Sequence, residues 1–498
     1  MQKVATLHML KQHRPVRVMV GETAILLLRD GAVVHAFGAD CPHAGAPLEQ
    51  GAVCDGRLVC PWHKASFAIA DGALLEPPAL DPLTRYPVEI IDGDVRVSDR
   101  PLPLPPAVAA GPADPRTMLI VGAGAAGTAA AAALREFGFT GRVVLVGAEA
   151  DAPYDRTALS KFVLQGAMPP DEVWPLREND FWASHRIERV HGEAVALDQG
   201  ARRVTLADGS VLVYDALLIA TGGIPRGPDV PGADLVGVHL LRSLDDARSL
   251  LPALEGGARV VIAGASFIGL EAASALRERD VPVTVVANAT IPFERQFGTE
   301  IGTMFRRLHE AHGVVFMAPR RIASIEGVTR VQAVVLDDGT RLEADVALVG
   351  YGVHPATAFA ASLDLARDGG ILVDADMRAT DQIFAAGDVA RFPLGIADAA
   401  RIEHWRVAQQ HARVAARGML GGDARFEQPP FFWTYHYGKR FEYLGHAETF
   451  DRVVVDGDLA TGEFLARQYD GSRVVGIIAC QREAETAALA HDLNRSPG

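Results

Sequence analysis

Cysteine is scarce in this chain: four in 498 residues, and none between positions 61 and 479. So few cannot staple a chain of this length, which excludes a disulfide-built scaffold. A reducing, cytoplasmic compartment or a dedicated metal site is expected instead. The opening MQKVATLHMLKQHRPVRV lacks the apolar stretch and small-residue site of a secretory leader. No Lys/Arg run relieves the balance of 48 bases against 62 acids, net −14, so neither nucleic acid nor an anionic membrane is an expected partner. Long apolar runs are missing too. Thr117 to Leu134 is uncharged for 18 residues, the nominal length of a membrane span. It is nearly all Ala, Gly and Thr around a glycine fingerprint, and so reads as strand, turn and helix. Apolar content of 49% and charge of 22% exclude disorder, collagen and coiled coil. At roughly 100–200 residues per domain, the length predicts about three domains.

The sharpest boundary is proline-rich. Residues 99–116, DRPLPLPPAVAAGPADPR, carry prolines at 101, 103, 105, 106, 112 and 115. That density suits neither a sheet nor a helix interior, and predicts an extended spacer or a strap packed on the surface. Before it, residues 1–98 read as a small all-β domain, with short alternating runs broken by GE, DG and GD. After it, apolar strands alternate with helical stretches, the pattern of an α/β fold. LIVGAGAAGTAAAAALREF at 119 is echoed by VVIAGASFIGLEAASALRE at 260, predicting two nucleotide-binding folds. The aromatic run FFWTYHYGKRFEYLGHAETF predicts a final antiparallel domain over 429–498.

Cys41-Pro-His43 and Cys60-Pro-Trp-His63 are the most informative residues. A zinc finger pairs two cysteines, then two histidines. Arms of one thiolate and one imidazole each instead suit a [2Fe–2S] centre with Cys₂ on one iron and His₂ on the other. Over most of residues 5–98 the chain resembles the Rieske family. That resemblance implies Cys41 and Cys60 on one iron, His43 and His63 on the other. High-potential Rieske proteins carry two further cysteines, joined in a disulfide, where this chain has Ala46 and Trp62. They place hydroxyls near the cluster sulfurs where it has Ala65 and Phe67. Fewer donors stabilise the reduced cluster less, so a potential near the low end, roughly −150 mV, is expected. Lys64, at a position usually Gly, raises it somewhat. Cys54 and Cys480 read as inert thiols.

The first glycine turn, Gly122-x-Gly124-x-x-Gly127, follows LIV and opens an Ala-rich helix, with Glu149 ending the next strand. Such glycines admit a pyrophosphate to a helix N-terminus, and the acid binds a ribose diol. The motif alone does not name the dinucleotide. Ala-Thr221-Gly222 and Gly387-Asp388 look like the landmarks of two-dinucleotide flavoproteins. By that resemblance the first fold and Asp388 hold FAD, and Gly264-x-Ser266-x-x-Gly269 takes the pyridine nucleotide. Ser266 replaces the usual middle glycine and is tolerable if its side chain points away. PYDRTALSK, 153–161, is similar to the PYxRPPLSK segment of oxygenase-type ferredoxin reductases and apoptosis-inducing-factor-like proteins. In that family Lys161 lies near flavin N5 and pairs with Glu271, and these two are the candidate catalytic residues. Arg156 would contact the flavin or its pyrophosphate. Glu403-His404-Trp405 opens a helix aimed at the flavin pyrimidine, and Trp433 either covers the isoalloxazine or belongs to an aromatic core. The strand end at Ala287 and Asn288 carries neither the acid of an NAD site nor the arginine of an NADP site, so NADH is preferred only by family analogy.

The expected architecture is therefore multidomain. An all-β Rieske domain (1–98) and a linker (99–116) precede an α/β flavoprotein with FAD-binding parts at 117–235 and 353–428 around an NAD(P)-binding domain at 236–352. An α+β C-terminal domain closes the chain at 429–498. Without a dithiol near the flavin, electrons must leave outward. The resemblance implies an NAD(P)H-dependent reductase passing electrons through FAD to its own cluster and on to an unidentified one-electron acceptor protein. Two other readings remain open at this point. One is a redox-sensing interaction protein with slow NADH oxidation and nucleotide-dependent association, for which a homodimer is the natural form. The other reverses the flow, with the Rieske domain feeding FAD.

Overall fold

The computed structural model describes residues 1–104, 106–109, 111–394 and 399–493. Pro105 and Ala110 of the linker, residues 395–398 of the second FAD-binding segment and residues 494–498 of the C-terminal segment lie outside these. The N-terminal domain is three small antiparallel sheets. Gln2–Thr6, Asp94–Val97 and Val88–Ile91 form one, and Val16–Val20, Thr23–Asp30 and Val33–Gly38 a second. Ala52–Cys54, Arg57–Val59, Ser66–Ala68 and Leu74–Glu76 form the third. Alternation sets the faces: in Asp94–Val97 only Val95 and Val97 are fully buried.

Two five-stranded parallel sheets follow. The first runs Ile187–His191, Arg142–Gly147, Thr117–Val121, Ala216–Ile219, Ile383–Ala385 in spatial order. Its last strand comes from beyond the second sheet, so the second fold is inserted into the first. That second sheet runs Val238–His239, Val346–Val349, Val260–Ala263, Val283–Val286, Val315–Met317. The strands read as unbroken apolar runs because elements cover both faces. In each fold the central strand turns at glycine into a helix, Ala125–Glu136 in one and Phe267–Arg277 in the other. The uncharged run is thus strand, turn and helix, and no helix among the described residues is long and apolar enough to cross a membrane.

The C-terminal unit is a five-stranded antiparallel sheet, Phe431–His436, Lys439–Gly445, Arg473–Cys480, Glu463–Asp470, Arg452–Asp458, with the helix Glu483–Asp492. The proline-rich segment is tied down near both ends: Leu102 N–H donates to the Arg85 carbonyl at 2.8 Å, and Thr140 Oγ1 to that of Pro112 at 3.0 Å. It is a strap rather than a free tether.

One face of the helix Trp405–Met419 carries part of the contact between the all-β domain and the rest of the protein. Arg406 Nε donates to the Pro77 carbonyl at 2.8 Å, Gln410 Nε2 to Glu76 at 2.7 Å, and Arg413 Nη2 to the Leu74 carbonyl at 3.2 Å. These three residues lie on one helical stripe. Val407, Ala408, Ala412, Ala415 and Ala416 pack into the core of the first parallel sheet.

Candidate functional site

Cys41 and Cys60 lie at matching points of two loops, and each closes its loop with its own N–H: Cys41 to the Ala46 carbonyl and Cys60 to that of Ala65, both at 2.8 Å. Both cysteines are buried and they face each other. The N–H groups of His43 and Ala44 point at the Cys41 sulfur, and those of Trp62 and His63 at that of Cys60. Burial opposes ionisation of Cys60, but Cys41 and the two N–H groups outweigh it and bring its thiol down to about 7. The hydrogen bond with Cys60, then burial, pushes Cys41 up. His43 and His63 meet nitrogen to nitrogen, Nδ1 to Nδ1 at 2.9 Å. Burial holds both imidazoles below their ordinary range, neutral and fit to ligate. The four donors come as a sulfur pair and a nitrogen pair.

A cavity of about 710 Å³ lies behind the His pair. Its walls include Gly122, Gly124, Glu149, Arg156, Lys161, Thr221, Gly222, Ser266, Glu271, Asp388, Trp405 and Trp433. Of the predicted nucleotide-site residues, Gly127, Gly264 and Gly269 are not in the wall. Their work is internal: a Cβ on Gly127 would stand 1.7 Å from the Gly122 carbonyl oxygen, and one on Gly269 2.3 Å from that of Gly264. Gly264, at φ +106°, has the Gly350 carbonyl 2.7 Å from where its Cβ would be. Ser266 Oγ turns back to accept from Gly269 N–H at 3.1 Å, capping the helix Phe267–Arg277.

The Glu271 carboxylate joins three parts of the chain. Lys161 Nζ and Ser160 Oγ donate to its Oε2 at 2.9 and 2.6 Å. Thr434 Oγ1 and Tyr435 N–H donate to its Oε1 at 2.7 and 3.2 Å. Neighbours in an α-helix splay by about 100°. Ser160 and Lys161 both reach this carboxylate from Leu159–Val163, a turn of π-helix.

The strand Phe431–His436 divides its side chains between two neighbours, as period two dictates. Thr434 reaches Glu271, and Phe432 packs 4.7 Å from Phe267, ring centre to ring centre. On the other face Trp433 meets the His63 ring at 4.1 Å and that of His43 at 6.4 Å. Trp433 therefore touches the His pair and walls the cavity at once. Its place in the cavity wall is compatible with covering a flavin, and its contact with the His pair is a further feature that neither alternative included.

Comparison with known proteins agrees with the geometry. Residues 116–412 match the pyridine nucleotide-disulphide oxidoreductase family, residues 1–87 the Rieske [2Fe–2S] domain, and residues 431–495 the reductase C-terminal domain. The chain belongs to the pyridine nucleotide-disulphide oxidoreductase family. It is 34% identical over 494 residues to apoptosis-inducing factor 3 of Homo sapiens, covering 96% of this chain and 81% of that one. It is 38% identical to the ferredoxin–NAD(+) reductase component of the biphenyl dioxygenase system of Paraburkholderia xenovorans, over 71% of this chain and 88% of that one. Among solved structures, the covalent putidaredoxin reductase–putidaredoxin complex matches with a TM-score of 0.72 and 31% identity, over 76% of this chain and 93% of the other.

The protein is thus an oxidoreductase whose cofactors are FAD, NAD(P)H and a [2Fe–2S] cluster. Despite the family's name no cysteine lines the cavity. The cavity fits a flavin dinucleotide. At Gly124 a Cβ would meet nothing nearer than Arg156 Nη2 at 3.8 Å, leaving the backbone open to a pyrophosphate. His404 Nδ1 and Trp405 Nε1 are buried without a protein partner among the described residues, at the N-terminus of the helix Trp405–Met419 beside the cavity. A helix start favours negative charge there.

Sequence reasoning missed several residues. Arg242 donates to Asp388 at 3.1 Å and its carbonyl accepts from Arg156 at 3.1 Å, yet nothing around it in the chain marks it. Tyr154 donates to Glu149 at 2.6 Å and Arg156 does so at 2.8 Å. Tyr154 and Ser160 were legible as members of PYDRTALSK, whereas Thr434 was hidden in an aromatic run. Cys480 is buried as expected, and Cys54 is only half-buried.

Proposed function

We propose that this protein passes electrons from NADH through FAD to its own Rieske cluster, with Trp433 as the bridge, and on to a separate one-electron acceptor. When bound, FAD takes a hydride from the nicotinamide and the cluster carries electrons singly. The observation that carries the reading is Trp433, in the wall of the dinucleotide cavity and 4.1 Å from His63.

The chain's own residues supply position and electrostatics. Glu149 would take the adenosine ribose, Gly124 the pyrophosphate, Arg156 and Asp388 the flavin's polar chain, and the helix start at Trp405 the pyrimidine. Glu271 accepts from Lys161 Nζ and fixes it at the cavity wall. Cys41 and Cys60 would take one iron through sulfur, His43 and His63 the other through Nδ1. The indole of Trp433 stands between the His pair and the cavity wall. NADH as donor is supported by relatives whose names carry NAD(+). A ferredoxin- or oxygenase-type acceptor is supported by the same names. With His63 turned to Trp433, the exposed residues Pro42, Ala44 and Gly45 beside half-buried His43 are the edge left for electrons to depart.

Anaerobic titration of the holoenzyme with NADH, followed by flavin absorbance and cluster EPR, tests the path. Reduction of both centres is expected. Reduction of the flavin with an EPR-silent, oxidised cluster defeats the proposal.

A further inference from the structure

The electron path leaves one buried ion pair unused. Lys64 follows His63 directly, and its φ of +62° lies in the left-handed region that side-chain-bearing residues rarely adopt. Glycine would sit there without strain, so a lysine held there points to a task for its side chain. That side chain leaves its own domain. Nζ donates to both Glu442 oxygens at 3.0 Å and to the Glu483 carbonyl at 3.4 Å, on the sheet and helix of the C-terminal unit. It also bonds the Pro61 carbonyl and stands 5.2 Å over the Phe431 ring. Thr486 Oγ1 supplies Glu442 with a further donor. Lys64 is 0% exposed and Glu442 2%. A second contact secures the same loop, since Arg406 Nη2 donates to the Lys64 carbonyl at 3.2 Å.

We infer that Lys64 and Glu442 form a clasp that locks the Rieske domain onto the C-terminal sheet. It sets His63 against Trp433, so that the cluster works from one fixed position instead of swinging on the proline-rich strap. Geometry argues for this. Glu442 pairs across the sheet with Trp433, and Lys64 adjoins His63, so one ion pair fixes the register of both rings. A lone charge left in that dry contact disfavours docking far more than the intact pair does, because separation returns it to water. The inference uses the electron path only to say what the fixed position serves; the docking itself is independent of it.

The test cuts the strap after the chain has folded. A site-specific protease sequence is placed within residues 99–116 of the holoenzyme, the strap is cleaved, and the two pieces are run on gel filtration. The wild-type pieces are expected to co-elute. Lys64→Gly, which relieves the backbone strain, is expected to weaken their association by at least about 100-fold, with the cluster's visible and EPR spectra retained. Glu442→Gln breaks the pair from the other side without touching the cluster loop, and the same separation is expected. Wild-type pieces that part after cleavage overturn the clasp. So does co-elution of either variant, because a clasp needs both halves. NADH reduction of the cluster in the uncut protein is measured alongside, so failure of the electron path is seen separately from failure of the clasp.

Discussion

Lys161 Nζ stands 2.9 Å from Glu271 Oε2, an ion pair that joins the first dinucleotide fold to the second, with side chains only 8% and 3% exposed. Because Ser160, Thr434 and Tyr435 also donate to this carboxylate, Glu271 is the hub and Lys161 one spoke. Glu271→Gln turns half of the acceptor into a donor facing donors and strands the ammonium. A loss of about 3–5 kcal/mol is expected. Lys161→Met removes one donor and is expected to cost less. Thermal unfolding of the two variants checks the order, and a larger loss for Lys161→Met contradicts it.

Ser266 caps its own helix, so its hydroxyl is not needed by the nucleotide. Ser266→Ala is expected to lose about 1 kcal/mol of stability and Ser266→Gly only a few tenths. Neither should change the NADH dissociation constant by more than about 3-fold, a shift under 1 kcal/mol. Stopped-flow flavin reduction over a range of NADH concentrations measures it. A large rise in both variants would assign the hydroxyl to the nucleotide instead.

Ala46, Ala65 and Phe67 are each at most 1% exposed around Cys41 and Cys60, an apolar shell without hydroxyl donors at those positions. A reduced cluster carries extra negative charge and gains from donors to its sulfurs. The midpoint potential is therefore expected near the low end for Rieske centres, roughly −150 mV. Ala65→Ser is expected to raise it. Protein-film voltammetry reads both, and a lower potential in Ala65→Ser refutes the argument.

Burial brings His404, His411 and His436 down to about 3, so all three are neutral in the native protein. An unfolded histidine titrates near 6.5, so below that pH the unfolded chain binds more protons. Stability from these groups is complete above about pH 6.5 and falls with pH by up to about 1.4 kcal/mol per unit for each histidine. His411 lies 4.3 Å from the Phe392 ring and 4.8 Å from that of Phe426, with neither nitrogen partnered among the described residues. His411→Leu is expected to flatten the acid side of the melting-temperature profile between pH 6.5 and 4.5. An unchanged slope counts against a neutral His411.

Much of this was legible in the chain because it is local. The glycine turns, the strands before them and the two Cys/His arms are each encoded within a few adjacent residues, where backbone sterics and ligand chemistry leave few choices. What was illegible is what one domain does to another. Nothing in the chain around Arg406, Gln410 and Arg413 marks them, yet all three donate to the Rieske domain. Lys64 looked like a charge near a cluster, and its partner lies 378 residues away. Trp433 offered two plausible places in sequence, and the fold gives it a position between them.

The central claim is that Trp433 connects the flavin cavity to His63. The most direct test is anaerobic single-turnover reduction by NADH, with flavin absorbance and freeze-quenched cluster EPR followed together, in wild type and Trp433→Leu. The account predicts flavin reduction at an unchanged rate in both, and cluster reduction at least about 10-fold slower in the variant, a barrier rise of about 1.4 kcal/mol. Equal cluster reduction in the two proteins would contradict it.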